Sequence, residues 1–221
     1  MATRTIAVVL SGCGYLDGSE IREAVGTLWA LSQHDVSVEC FAPDTDHAVV
    51  DHLTHKQVQE TRNALHEAAR IARGKIRPLA ELPTLDYQAL IMPGGYGAAK
   101  NLSSYAKDGD AGKVLSEELH NDITGMHKEG RPIGAICIAP AVVGLALKGA
   151  GLRMTVGASG PDADAITKMG HTHVVRAAGE IHIDDEHNII TTPAYMYDDA
   201  PLHEVFTGIN ALVAEVVRRI R

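Results

Sequence analysis

The run "RPIGAICIAPAVVGLAL" at residues 131–147 passes from a short apolar segment to a helix-like one through a single thiol, Cys137. "RPIGAI" has the length and unbroken apolarity of a fully buried strand, and a helix is predicted from just after Cys137 to about Leu147. Such a strand–bend–helix with a nucleophile at the bend is an elbow, in which side chains two positions either way crowd the backbone. Here those positions hold Ala135 and Ala139, with Gly134 and Pro140 just outside them. Pro140 suits the first turn of a helix, where its missing N–H is not needed. The helix aims its first N–H groups at the sulfur, which predicts a lowered thiol pKa and a nucleophilic thiolate. The competing reading is a small buried hydrophobe, the role of most free cysteines.

Outward from the elbow, strand-like and helix-like segments alternate. Strands are predicted at "TIAVVL" (5–10), "VSVECFA" (36–42) and "YQALIM" (87–92). Helices are predicted over about 20–32, with Ser19 as N-cap, and over 63–73, stopped by Gly74. Val114, Leu115, Leu119, Ile123 and Met126 mark a third helix closed by Gly130, and a last one spans about 200–220. Between 153 and 192, "RMTV", "THVV", "EIHID" and "NIITT" are short strand-like pieces, the last two facing each other as a hairpin across 185–187. The βα alternation predicts an α/β flavodoxin-like three-layer sandwich: a mainly parallel sheet with right-handed crossovers, a nucleophile elbow and a small C-terminal hairpin addition. A single domain over 1–221 is expected, since a chain of this length buries roughly 70% of its unfolded surface.

Composition narrows the function. The residues are 45% hydrophobic but 4% aromatic, and the net charge of −8 argues against nucleic acid or an anionic membrane surface as partner. No apolar run reaches the ~18 residues of a membrane span. The opening "MATRTIAVVL" has no leader pattern and the three cysteines no paired spacing, so a reduced, cytoplasmic protein is expected.

"AICIAP", "SGCGYLDGSEI", "PGGYGAAKNLS" and "TTPAYM" together resemble the ElbB group of the PfpI / type 1 glutamine amidotransferase-like superfamily, over essentially the whole chain. The resemblance implies the sandwich fold, a cysteine at the elbow, a homodimer, and a weak glyoxalase activity that turns glyoxal into glycolate without glutathione. It also implies a glutamate from the first helix hydrogen-bonded to the cysteine. Counting back from the second strand makes that residue Glu23, whereas helical phase favours Glu20; Glu23 is preferred and Glu20 stays open. Both also suit a first helical turn by charge alone.

In a parallel sheet ligands bind beyond the carboxyl ends of the strands, where the loops "SGCG" and "PGGYG" join the elbow. Backbone N–H groups of Ile138 and of Gly94 or Gly95 are expected to receive an oxyanion, and Cys13 to face the same pocket. The usual histidine partner is missing: Ile138 follows the cysteine, Gly157 follows the next strand, and only His182–Ile183–Asp184 approaches a His–x–acid pattern. The pairs around His171–x–His173 and His47, His52 and His55 lack a ligand set of known spacing, so surface histidines are expected and no metal. Loops lacking a Walker lysine or an acidic follow-up predict no phosphate cofactor. Two functions follow. One is a cofactor-free, cysteine-dependent glyoxalase, a lyase acting on a small aldehyde substrate and giving the 2-hydroxy acid. The other is a non-catalytic metabolite-binding or redox- and stress-sensing protein that keeps the elbow.

Overall fold

The computed structural model describes residues 4–82 and 87–220; residues 1–3, on which part of the leader reading rested, lie outside them. In chain order the elements are β1 (Thr5–Val9), α1 (Ile21–Leu31), β2 (Ser37–Ala42), β3 (Asp46–Asp51), β4 (Lys56–Asn63), α2 (Ala64–Ile71), β5 (Ile76–Pro78) and β6 (Ala89–Met92). They continue with α3 (Tyr105–Asp108), α4 (Glu117–Lys128), β7 (Ile133–Ile136), α5 (Ala139–Ala146), β8 (Arg153–Met154) and α6 (Pro161–Lys168). The chain ends with β9 (Thr172–His173), β10 (His182–Asp184), β11 (Ile189–Thr192) and α7 (Leu202–Arg219). Among the described residues no helix is long and apolar enough to cross a membrane.

Seven strands form one sheet in the order β10-β11-β7-β6-β1-β2-β5. Every pairing in it is parallel except β10 with β11. The central strands are apolar without alternation because both faces are covered. Ala7 and Val9 of β1, Leu90 and Met92 of β6, and Ile133 and Ala135 of β7 enter a core shared with α4, α5 and α6. Ile6, Val8, Ala89, Ile91 and Ile136 enter the opposite core under α1, α2 and α7. Gly134 belongs to that second face, where a Cβ would lie 2.8 Å from Leu212.

Several expectations change in detail. Glu20, not Ser19, caps α1, its carboxylate accepting the Glu23 N–H at 2.6 Å. Ser19 is instead buried, and its hydroxyl accepts the Ser11 N–H. Val114 and Leu115 precede α4, which starts after the Ser116 cap; Val114 bridges Ser103 instead. The 185–187 hairpin forms, with β11 built into the main sheet beside the elbow strand, while β8 and β9 make a separate two-stranded sheet. The antiparallel hairpin of β3 and β4 and the helix α6 had no counterpart in the sequence reading.

Candidate active site

Cys137 directly follows β7, in the left-handed region at φ +60, and is 7% exposed. Its own N–H donates to Thr192 O, tying the elbow to the end of β11. The small neighbours Ala135 and Ala139 are buried beside it. Backbone N–H groups of Gly95 and Ile138 donate to its sulfur.

The partner of the thiol is Glu23. Its carboxyl is fully buried and hydrogen-bonded to the sulfur, with each oxygen also accepting one backbone N–H. Gly94 donates to Oε2 at 2.9 Å and Tyr195 to Oε1 at 3.2 Å. Three loops therefore meet on one carboxyl: the start of α1, the turn after β6 and the turn after β11. Glu20 does not reach the sulfur through any described contact, and as cap it holds the backbone of Glu23.

Gly94 needs to be glycine because a Cβ there would lie 2.5 Å from Cys137 Cβ and 2.9 Å from Glu23 Oε2. Its N–H is committed to Glu23, whereas the neighbouring Gly95 N–H is turned to the Cys137 sulfur.

The protonation pattern also differs from expectation. Burial pushes Glu23 up to about 8, the Glu20 charge adding to it, while the Tyr195 and Gly94 amides and the thiol pull down. Burial likewise raises the Cys137 thiol well above its ordinary value, with the Glu23 charge adding to it. The amides of Gly95 and Ile138 oppose this but do not win, so the predicted lowering by the helix start is reversed. The result is a thiol–carboxyl pair in which either group can hold the proton.

Other candidates lie elsewhere. Cys13 lines a separate cavity of about 360 Å³ with Asp17, Val50, His52 and Arg62, roofed by the β3–β4 hairpin, so it does not join the Cys137 pair. Burial raises its thiol. His182 contacts Arg176, and Asp184 accepts the Arg153 and His187 N–H groups, so that pair serves the sheet edge. His171 is buried, not on the surface, with Nε2 at 3.0 Å from Gly144 O. Among the described residues no group of three or more His, Cys, Asp or Glu side chains is placed to hold a metal ion. Sequence reasoning missed Tyr195, whose contribution is a main-chain N–H that no side-chain pattern encodes.

No family model matches the chain. It is 42% identical over 223 residues to "Glutamine amidotransferase-like class 1 domain-containing protein 3, mitochondrial" of Homo sapiens, covering 96% of this chain and 82% of that protein. It is 41% identical to "ES1 protein homolog, mitochondrial" of Rattus norvegicus over the same shares. Among solved structures, an isoprenoid biosynthesis protein with amidotransferase-like domain from Ehrlichia chaffeensis is 38% identical with a TM-score of 0.90, covering 98% of this chain and 99% of that one. Both curated relatives are named as mitochondrial, which overturns the cytoplasmic expectation. Unpaired cysteines do not distinguish one reducing compartment from another, and that is where the expectation failed.

Proposed function

We propose, since this chain belongs to the glutamine amidotransferase-like class 1 domain family and to its ElbB-like group, that it is a cysteine-dependent glyoxalase needing no cofactor. The observation that carries this reading is the buried Glu23 carboxyl hydrogen-bonded to the Cys137 sulfur, each placed by its own pair of backbone amides. A base whose pKa is raised to about 8 is suited to moving protons near neutral pH.

The sulfur adds to one aldehyde carbon of glyoxal, its proton passing through Glu23 to the new alkoxide, which gives a hemithioacetal. The N–H groups of Gly95 and Ile138 stabilise that oxygen as charge develops. Glu23, again a carboxylate, takes the proton from C1 and returns it to C2, while the O1 hydroxyl proton moves to O2. The product is a glycolate thioester; water cleaves its C–S bond, releasing glycolate and restoring the thiol. Glutamine hydrolysis finds less support, because none of the groups acting on the thiol is an imidazole.

Glyoxal consumption with glycolate formation, compared between wild type and Cys137→Ala, tests the proposal. The variant should fall to the buffer rate, and equal rates would end the enzyme claim. The second reading, a binding or redox-sensing protein, is favoured by the burial of Cys137, whose exposure is 7%. We also propose a homodimer formed through α1, whose Ile21, Val25 and Trp29 are exposed.

A further inference from the structure

Beyond Cys137 and Glu23, one contact has no role in the chemistry described so far. The Arg22 guanidinium donates to Tyr195 Oη at 2.8 Å and lies 5.7 Å from the centre of the Tyr195 ring. Arg22 sits on the exposed side of α1, one residue before the buried Glu23, and Tyr195 is half-buried above the elbow. We infer that Tyr195, clamped by Arg22, is a positioning residue that holds one of the two backbone donors on Glu23 and so sets where the Glu23–Cys137 proton resides.

The two donors to Glu23 are held in different ways. Gly94 is immobilised by close packing, its Cα facing Cys137 Cβ and the Glu23 carboxyl with no room for a methyl group. Tyr195 lies in a single 3₁₀ turn (Ala194–Met196), and the residue before it, Ala194, is strained at φ +45. A non-glycine residue in that region persists only when its surroundings hold it there. The turn's own bonds, Met196 N–H to Pro193 O and Tyr197 N–H to Ala194 O, close it upon itself and do not fix it to α1. The Arg22–Tyr195 bond does fix it to α1, the same helix that carries Glu23.

An N–H directed at a carboxylate favours its ionised form, and removing it favours the neutral acid. The other charged or titratable groups acting on Glu23 are Glu20, one turn away on α1, and the Cys137 thiol. Loosening the Tyr195 amide therefore moves the proton of the singly protonated pair from sulfur to carboxyl. The thiolate becomes more populated at a given pH even though the variant touches neither reacting group. This inference rests on the reading of Cys137 and Glu23 as the reacting pair, but not on glyoxal being the substrate.

Iodoacetamide alkylation of Cys137 against pH, followed by peptide mass mapping, tests it without any turnover. Tyr195→Phe keeps the ring and loses the acceptor; Arg22→Ala removes the clamp; Arg22→Lys restores a donor. The midpoint of Cys137 alkylation is expected to fall by roughly half a pH unit or more in Tyr195→Phe and Arg22→Ala. Arg22→Lys should return it towards wild type. A faster rate with an unmoved midpoint would mean that the turn controls access alone, and would overturn the inference. An unchanged profile in both variants, folded by circular dichroism, would overturn it as well. If wild type proves inactive on glyoxal, the midpoint shift still decides the positioning role, so the two claims fail separately.

Discussion

At the scale of single residues the contest is between burial and hydrogen bonding at one thiol and one carboxyl. A helix start is favourable to a thiolate, yet here it meets a fully buried sulfur beside an acid, and desolvation is the larger effect. Glu23 provides a test in stability. Its folded pKa, about 8, lies above its ordinary 4.5, so the native state keeps a proton that the unfolded chain has already released. This group's contribution is whole below about pH 4.5 and drains as pH rises through about 8. Between pH 5.5 and 7.5 wild type should lose roughly 2–3 kcal/mol more than Glu23→Gln in urea unfolding. Parallel pH slopes would contradict a buried protonated Glu23. The same substitution should slow glyoxal turnover by roughly 10²–10⁴-fold. Accessibility also ranks the cysteines: Cys13 is half-exposed, whereas Cys137 and Cys40 are buried, burial pushing Cys40 up to about 11. Alkylation at pH 7, followed by peptide mapping, should take Cys13 ahead of both Cys137 and Cys40. The elbow was legible in the sequence because small residues at fixed offsets record the crowding around Cys137. The sign of its pKa was not, since that depends on how completely α1 and the turn after β11 close over it.

Among the elements, those with periodic apolar patterns were legible and those held by polar contacts were not. The central parallel strands β1, β6 and β7 could be read from their apolar runs, and α7 from its helical spacing. The β3–β4 hairpin could not: its strands are mostly exposed, with Lys56, Gln57, Gln59 and Glu60 in β4. Its attachment to the loop after β1 is polar, Asp17 accepting the Val50 N–H at 2.8 Å and His52 accepting the Leu16 N–H at 3.3 Å. The turn after β6 was legible as a pair of glycines, but only packing separates their duties. Gly94→Ala should displace both thiol and carboxyl, costing about 1–3 kcal/mol as an overpacked site and abolishing turnover. Gly130→Ala is the control, since among the described residues nothing lies within 4 Å of a Cβ there and only its φ of +65 is strained. It should cost about 1–2 kcal/mol with turnover intact. Equal activity in the two variants would remove the special place of Gly94.

For the whole molecule, the outer face of α1 sets the last expectation. Ile21, Val25 and Trp29 recur every four residues and are 44%, 46% and 51% exposed, although the helix also buries an inner face that includes Ala24, Ala30 and Leu31. Leu202, at the start of α7, is also exposed, and Trp29 contacts Phe206 of α7 at 6.0 Å between ring centres. A stripe of this kind, with an aromatic anchor, is suited to pairing with its own copy about a two-fold axis. Arg22 lies between Ile21 and Glu23, so such pairing would reach the clamp on Tyr195 and link assembly to the reactive pair. Trp29 is the only tryptophan, and its fluorescence therefore reports on this face alone. Light scattering at low micromolar concentration should give twice the 23.6 kDa of one chain. Val25→Glu should halve that mass and shift Trp29 emission to the red as the indole meets water. If Val25→Glu also lowers glyoxal turnover while its circular dichroism is unchanged, assembly and site are coupled. A wild-type mass of one chain, or a Trp29 emission unmoved by dilution and by Val25→Glu, would rule out pairing through α1.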